Sequence, residues 1–146
     1  MREPSRLPVI AVAISLMLSG CGGTAEAVEE ACAAAGAFLV QVDEMFSGPP
    51  PATDASADHN REQVRRWLQD LVEAADRVSD GNALADPAQR SLEAADAAFA
   101  AESRQERIDR FQEMFDAVAE VTAVCDEREV PVSWSTTTLR PADGSA

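Results

Sequence analysis

Apolar residues recur at alternating spacings of four and three from Val28 through Cys32, Ala35, Leu39, Val42 and Phe46. That is the repeat of one helix face. Ala31, Phe38 and Met45 broaden the stripe. Thr24 is a suitable N-cap with Glu26 in the first turn, and Gly48 followed by Pro49-Pro50-Pro51 ends the helix. Residues 47–58 form a polar, proline-rich loop in which three consecutive prolines favour stiff, extended geometry. A second helix is predicted from near Asp58 to Ser79 on Val64, Trp67/Leu68, Leu71, Ala75 and Val78, closed by Asp80-Gly81-Asn82. Asp86-Pro87 has the form of an N-cap and first helical residue. The third helix, about 86 to 101, carries a thin stripe of Ala88, Leu92, Ala95 and Phe99. A last stripe runs Ile108, Phe111, Phe115, Val118, Thr122, Cys125. Ser103-Arg104-Gln105-Glu106 matches a capping box, but no glycine or proline forces a break after Phe99. Residues 86–126 therefore read either as two helices or as one of about 60 Å. After Glu127 the period is lost. Val130 to Thr138 reads as a short extended segment laid on the helices, or the end of the chain as a frayed tail.

The cysteines bear on that choice. Cys32 lies early in the first stripe and Cys125 at the end of the last. A bridge needs their α-carbons within about 7 Å. With three alternating helices the two cysteines end at opposite ends; with four they meet. A Cys32–Cys125 disulfide thus favours an all-α, up-down-up-down four-helix bundle with an irregular C-terminal tail. Two buried free thiols are the alternative, and would leave the helix count open.

Residues 1–20 differ in kind. Arg2 and Arg6 precede an almost wholly apolar run from Leu7 to Leu18, which is the build of an export signal. The run is about a dozen residues, short of the roughly 20 that span a bilayer. It ends in Leu18-Ser19-Gly20-Cys21, which resembles the lipobox of bacterial lipoproteins. The resemblance covers about the first 23 residues and no family is recognised for the rest. It implies that the peptide is cut before Cys21, that the Cys21 thiol carries a diacylglyceryl group, and that acyl chains hold the protein on the exported face of the cell membrane. The expected division is then a signal peptide over 1–20, a helical bundle over 21–127 and a tail over 128–146.

Charge narrows the partners. The net charge is −14, and every basic residue other than the lone histidine is arginine. Such a surface argues against nucleic acid and against electrostatic adhesion to anionic headgroups. In an oxidising compartment Cys32 and Cys125 are free to pair. One histidine and two distant cysteines do not make a zinc set, and no Glu-x-x-His supports a di-iron bundle site, so no cofactor is expected.

Catalytic candidates are thin. His59 beside Asp58 lacks an identifiable nucleophile and orienting group, with Ser56 near only in sequence. The acid pairs Glu29/Glu30, Asp43/Glu44 and Asp126/Glu127 lie off the apolar stripes and read as solvated faces. Arg61, Arg65 and Arg66 form a basic cluster that reads as salt-bridging partners of Glu62, Asp70 or a neighbouring helix, or as a docking patch for an anionic group; Arg104, Arg107 and Arg110 read the same way. Trp67 is assigned to the core. Trp134 either clamps the tail or faces a partner.

The expected function is a non-enzymatic, membrane-anchored module that binds an unknown envelope protein. The second class is a small-ligand carrier with a cavity between helices, beside the alanine-rich third one. In the alternating topology the 47–58 loop and the 101–103 junction lie at the end remote from Cys21. Pro49, Pro50 and Pro51 are there either a stiff docking loop or simple helix stops.

Overall fold

A computed structural model describes residues 19–79 and 82–132. The chain forms four helices, α1 (Ser19–Ser47), α2 (Asp54–Asp76), α3 (Asn82–Ala100) and α4 (Arg104–Glu127). The protein is an all-α four-helix structure. No strand occurs among the described residues.

Cross-helix contacts set the directions. Arg77, just past the end of α2, lies 2.6 Å from Glu30 near the start of α1. Arg90 early in α3 is paired with Glu120 late in α4, while Phe99 and Phe111 stack edge to face at 5.6 Å where the two helices approach their junction. Cys32 and Cys125 are joined in a disulfide with α-carbons 5.9 Å apart, and Phe38, later in α1, meets Phe115, earlier in α4, so these two helices run antiparallel as well. The core contains Phe38, Leu68, Leu71, Leu84, Met114, Val118 and Val121, all essentially inaccessible to solvent. Phe38 meets Phe115 with ring centres 6.4 Å apart, across α1 and α4.

Helix boundaries follow the local chemistry, with four departures from expectation. α1 begins at Ser19 rather than Thr24; the glycines between weaken helix but do not forbid it. Its end is set by the prolines, not by a left-handed glycine, because no described glycine has positive φ and the residue before a proline is driven out of the helical region. α2 starts four residues earlier than predicted because Thr53 caps it: its Oγ1 accepts from Ser56 N–H at 3.1 Å. The helix ends at Asp76, not Ser79. α3 begins at Asn82, so Asp86 is not its cap and Pro87 sits inside the helix. Leu84, fully buried, accounts for this, since burying such a side chain contributes about 1.5–3 kcal/mol.

The break between α3 and α4 needs neither glycine nor proline. Ser103 Oγ accepts from Glu106 N–H at 3.1 Å and starts α4. Arg107 reaches back from α4 and donates to the Ala101 carbonyl at 3.1 Å, satisfying an acceptor left bare where α3 ends.

α4 ends in a Schellman motif. Val130 N–H donates to Cys125 O at 2.9 Å and Glu129 N–H to Asp126 O at 3.0 Å. Glu129 takes the left-handed position with φ 58°. Val130 packs against the core beside the bridge.

Surface charges are tied down in pairs. The Arg90 guanidinium, hydrogen-bonded to Glu120 (Nη1 to Oε1 3.1 Å), holds that carboxyl below its ordinary value, and Arg90 is raised in turn. Arg110 is raised by its hydrogen bond to Glu113. Arg65 Nε lies 2.7 Å from Asp96 Oδ1, but its N–H is not aligned on the carboxylate, so that contact is electrostatic rather than a directed hydrogen bond.

Three outcomes test this frame. Thiol titration of the unfolded, unreduced protein should find neither Cys32 nor Cys125 free. The bridge spans a sequence separation of 93 residues, so the double alanine variant should lose up to about 4–5 kcal/mol by the chain-entropy argument. An unchanged denaturant midpoint would show that the bridge does not constrain the unfolded chain. Glu129→Gly should raise stability by about 1 kcal/mol, because a non-glycine residue in the left-handed region costs roughly 1–2 kcal/mol. A lower midpoint for that variant would contradict the Schellman reading.

Candidate functional site

The end of the bundle remote from Cys21 carries an open groove of about 420 Å³. Its walls come from three places in the chain: the last turn of α1 with Met45 and Phe46, the Gly48–Pro51 loop, and Ala57, Asn60, Arg61 and Val64 of α2. Phe99 of α3 and Phe111 and Met114 of α4 complete it. The lining is mostly apolar.

Local sequence explains how each part is placed. Helix α1 carries its stripe to its last turn, so Phe46 is projected where the partner helices turn back. Phe46 is 63% exposed and Ile108 47%, the two exposed large hydrophobics among the described residues. Sequence periodicity assigned both to the core. Phe38 opposite Phe115 fixes the register of α1 against α4, and counting two turns onward puts Phe46 and Ile108 at nearly the same level. The prolines fix their own φ and have no N–H to satisfy, so the loop wall is stiff. Met114 is fully buried at the groove floor, and the Phe99–Phe111 pair braces the side.

Of the candidates read from sequence, Pro49, Pro50, Pro51 and Arg61 come together in this groove. Arg61 Nη1 is held by Asp58 Oδ1 at 3.0 Å. Arg65 does not join it but turns to Asp96 on α3, and Arg66 is exposed and in no ion pair among the described residues. The three arginines thus do not form one patch: neighbouring carboxylates neutralise two of them on separate sides. Cys32 and Cys125 are consumed in the bridge. Cys21 falls in the opening turns of α1. Trp134, and most of the Val130–Thr138 segment, lie outside the described residues, as does the signal segment up to Leu18.

Other candidate chemistry remains dispersed. The His59 ring is exposed and its Nε2 lies 2.9 Å from Gln63 Nε2, one turn along the same helix. Trp67 is half-buried and borders a shallow pocket with Phe38, Gln41 and Asp70. Ser91, the one buried polar side chain among the described residues, spends its hydroxyl on the Ala88 carbonyl at 2.6 Å. Among the described residues no three His, Cys, Asp or Glu side chains cluster as a metal set, and no helix is long and apolar enough to cross a membrane. A second open groove, about 680 Å³, runs between the small-residue side of α1 (Ala33, Gly36, Ala37) and the outgoing chain Glu129–Pro131.

Phe46, Phe99 and Phe111 are the groove residues that sequence reasoning missed, and Ile108 is a further exposed hydrophobic outside the lining. No signal in the chain marked the exposed pair: Phe46 and Ile108 stand in their stripes as regularly as the buried Val42 and Val118. The chain matches no family model, no curated protein and no solved structure.

Proposed function

We propose that this protein is a lipid-anchored module of the exported membrane face that docks another envelope protein through its distal groove, without catalysis. The observation that carries the reading is the open apolar groove, with Phe46 exposed on its rim and a stiff triproline wall, at the opposite end of α1 from Cys21. Isolated exposed apolar residues are ordinary; a rimmed apolar groove is a feature of binding surfaces. Because the loop is stiff, less conformational freedom is lost on association.

The anchor and the groove belong to one design in this reading. Cys21 and Phe46 lie on one uninterrupted helix, so about 25 residues at 1.5 Å each set them roughly 38 Å apart. Acylation at Cys21 would hold the base of the bundle at the lipid, and α1 would carry the groove into the space beyond. Two acyl chains suffice for firm attachment at about 0.8 kcal/mol per buried methylene.

The small-ligand alternative is less well supported. It looked to a space beside α3, but Ala88, Ala95 and Ala98 are fully buried, and α3 and α4 form the closest pair of helices in the bundle. The alanines serve close approach there rather than a cavity.

Two measurements test the reading. Cys21→Ala should abolish incorporation of labelled fatty acid and shift the protein out of the membrane fraction or leave it unprocessed. Wild-type protein that is exported and cut yet takes up no fatty acid would exclude the lipid anchor. For docking, residues 49–52 are replaced by a Gly/Ser linker of equal length that keeps the Thr53 cap. Helix content should be unchanged, and stability should fall by about 1–3 kcal/mol as three prolines are lost. Crosslinked capture of membrane partners should drop several-fold; unchanged capture would remove the groove from the proposal.

A further inference from the structure

We infer that the occupant of the distal groove is a cationic amphipathic helix of the partner protein. This rests on the docking reading above and adds the partner's chemistry to it. The groove offers an apolar floor ending in an exposed aromatic ring. That suits a helix that lays apolar side chains, spaced three and four apart, into a groove.

The frame of the groove sets the sign of the partner. Glu44, Asp54, Glu62 and Glu102 are exposed at or beside this end of the bundle. None of them is in an ion pair among the described residues. Of the arginines nearby, Arg61 is neutralised by Asp58 and Arg110 by Glu113, whereas Arg107 donates to the neutral Ala101 carbonyl and keeps its charge. Arg104 and Arg66 keep theirs as well, but Glu106 and Asp109 of α4 are also exposed outside any ion pair among the described residues, so six carboxylates stand against three cations. The free charge around the groove is therefore negative, and the net charge of −14 extends that sign over the chain as a whole. Such a field raises the encounter rate of a cationic partner and repels an anionic one. A second copy of this chain carries the same −14 and is disfavoured by it. An uncharged acyl chain would use the floor and leave the carboxylate frame without a role.

The test uses the full processed protein in phosphatidylcholine nanodiscs, with empty nanodiscs as reference. The probes are two 18-residue helical peptides with the same leucine face, one with lysine and the other with glutamate on the polar face. The lysine peptide should bind at least tenfold tighter than the glutamate peptide at 50 mM NaCl and weaken at least fivefold at 500 mM. Phe46→Ser, at an already exposed position, should reduce its affinity at least tenfold. The double variant Glu26→Gln/Glu29→Gln, at the opposite end of the bundle, should stay within twofold. Equal binding of the two peptides, indifference to Phe46→Ser, or a doubled mass in sedimentation would overturn the inference. If neither peptide binds while the 49–52 linker variant still loses membrane capture, the cationic partner is wrong and docking at the groove stands. If capture is also unchanged, the docking reading itself fails.

Discussion

The bridge between Cys32 and Cys125 is the constraint on which this architecture turns. Helices α1 and α4 share the narrowest interface of the neighbouring pairs, and they are the pair that no short connection joins. A four-helix ring closed by a weak seam would open there first. The disulfide closes it at one end, where Cys32, Cys125, Val28 and Val121 are all buried, and Phe38 against Phe115 continues the seam toward the middle. Farther along, the seam has no equivalent. Phe46 lies 14 residues past Cys32 and Ile108 lies 17 before Cys125, about 21 and 25 Å away, and both side chains face solvent. The groove exists where the covalent closure no longer reaches.

How much of this was legible depends on what kind of signal each residue gives. The four helices follow from periodicity and caps, and Ser103-Arg104-Gln105-Glu106 marks the α3–α4 break in the sequence itself. The pairing of Cys32 with Cys125 was legible because covalent geometry is strict enough to discriminate between topologies. Helix starts were read less well. Thr53 and Asn82 lie upstream of the prolines, aspartates and apolar stripes that attract attention, and burial of Leu84 outweighs the local preference for Asp86-Pro87 as a start. The groove was only half visible. Pro49, Pro50 and Pro51 are conspicuous in the chain, but a stripe such as Val42–Phe46 gives no sign of how far the neighbouring helices close over it. Arg61, Arg65 and Arg66 show the converse: adjacent in sequence, they are parted by carboxylates on other turns and helices that no linear reading can place.

The pairing of surface charges shows where so acidic a chain places its few cations. Like charges spread over a small bundle destabilise the compact state. Arg65, Arg77 and Arg90 each bridge to an acid on another helix, so part of the scarce positive charge is spent across helix–helix seams. All three pairs are about half-exposed, and exposed pairs contribute little individually. Their effect is on where negative charge is left over. Glu30, Asp96 and Glu120 are matched across the seams, while Glu93 and Asp116 beside α3 and α4 and several carboxylates around the distal end are in no ion pair among the described residues, so the residual negative field covers most of the surface.

That field bears on how an apolar, open groove would fare against a second copy of the chain. A rim of apolar surface on a neutral module would invite a second copy. Here the copies carry the same strong charge, and the repulsion between them acts at the distance where encounter begins, before apolar contact can form. Screening shortens that reach to about 8 Å at physiological ionic strength, still ample for two bundles meeting end to end. Two-dimensional confinement at a membrane would raise the local concentration of such modules, which makes the repulsion more important there than in solution. The acidic surface and the exposed Phe46 are therefore compatible features: the first limits what can approach, and the second rewards whatever is allowed to arrive.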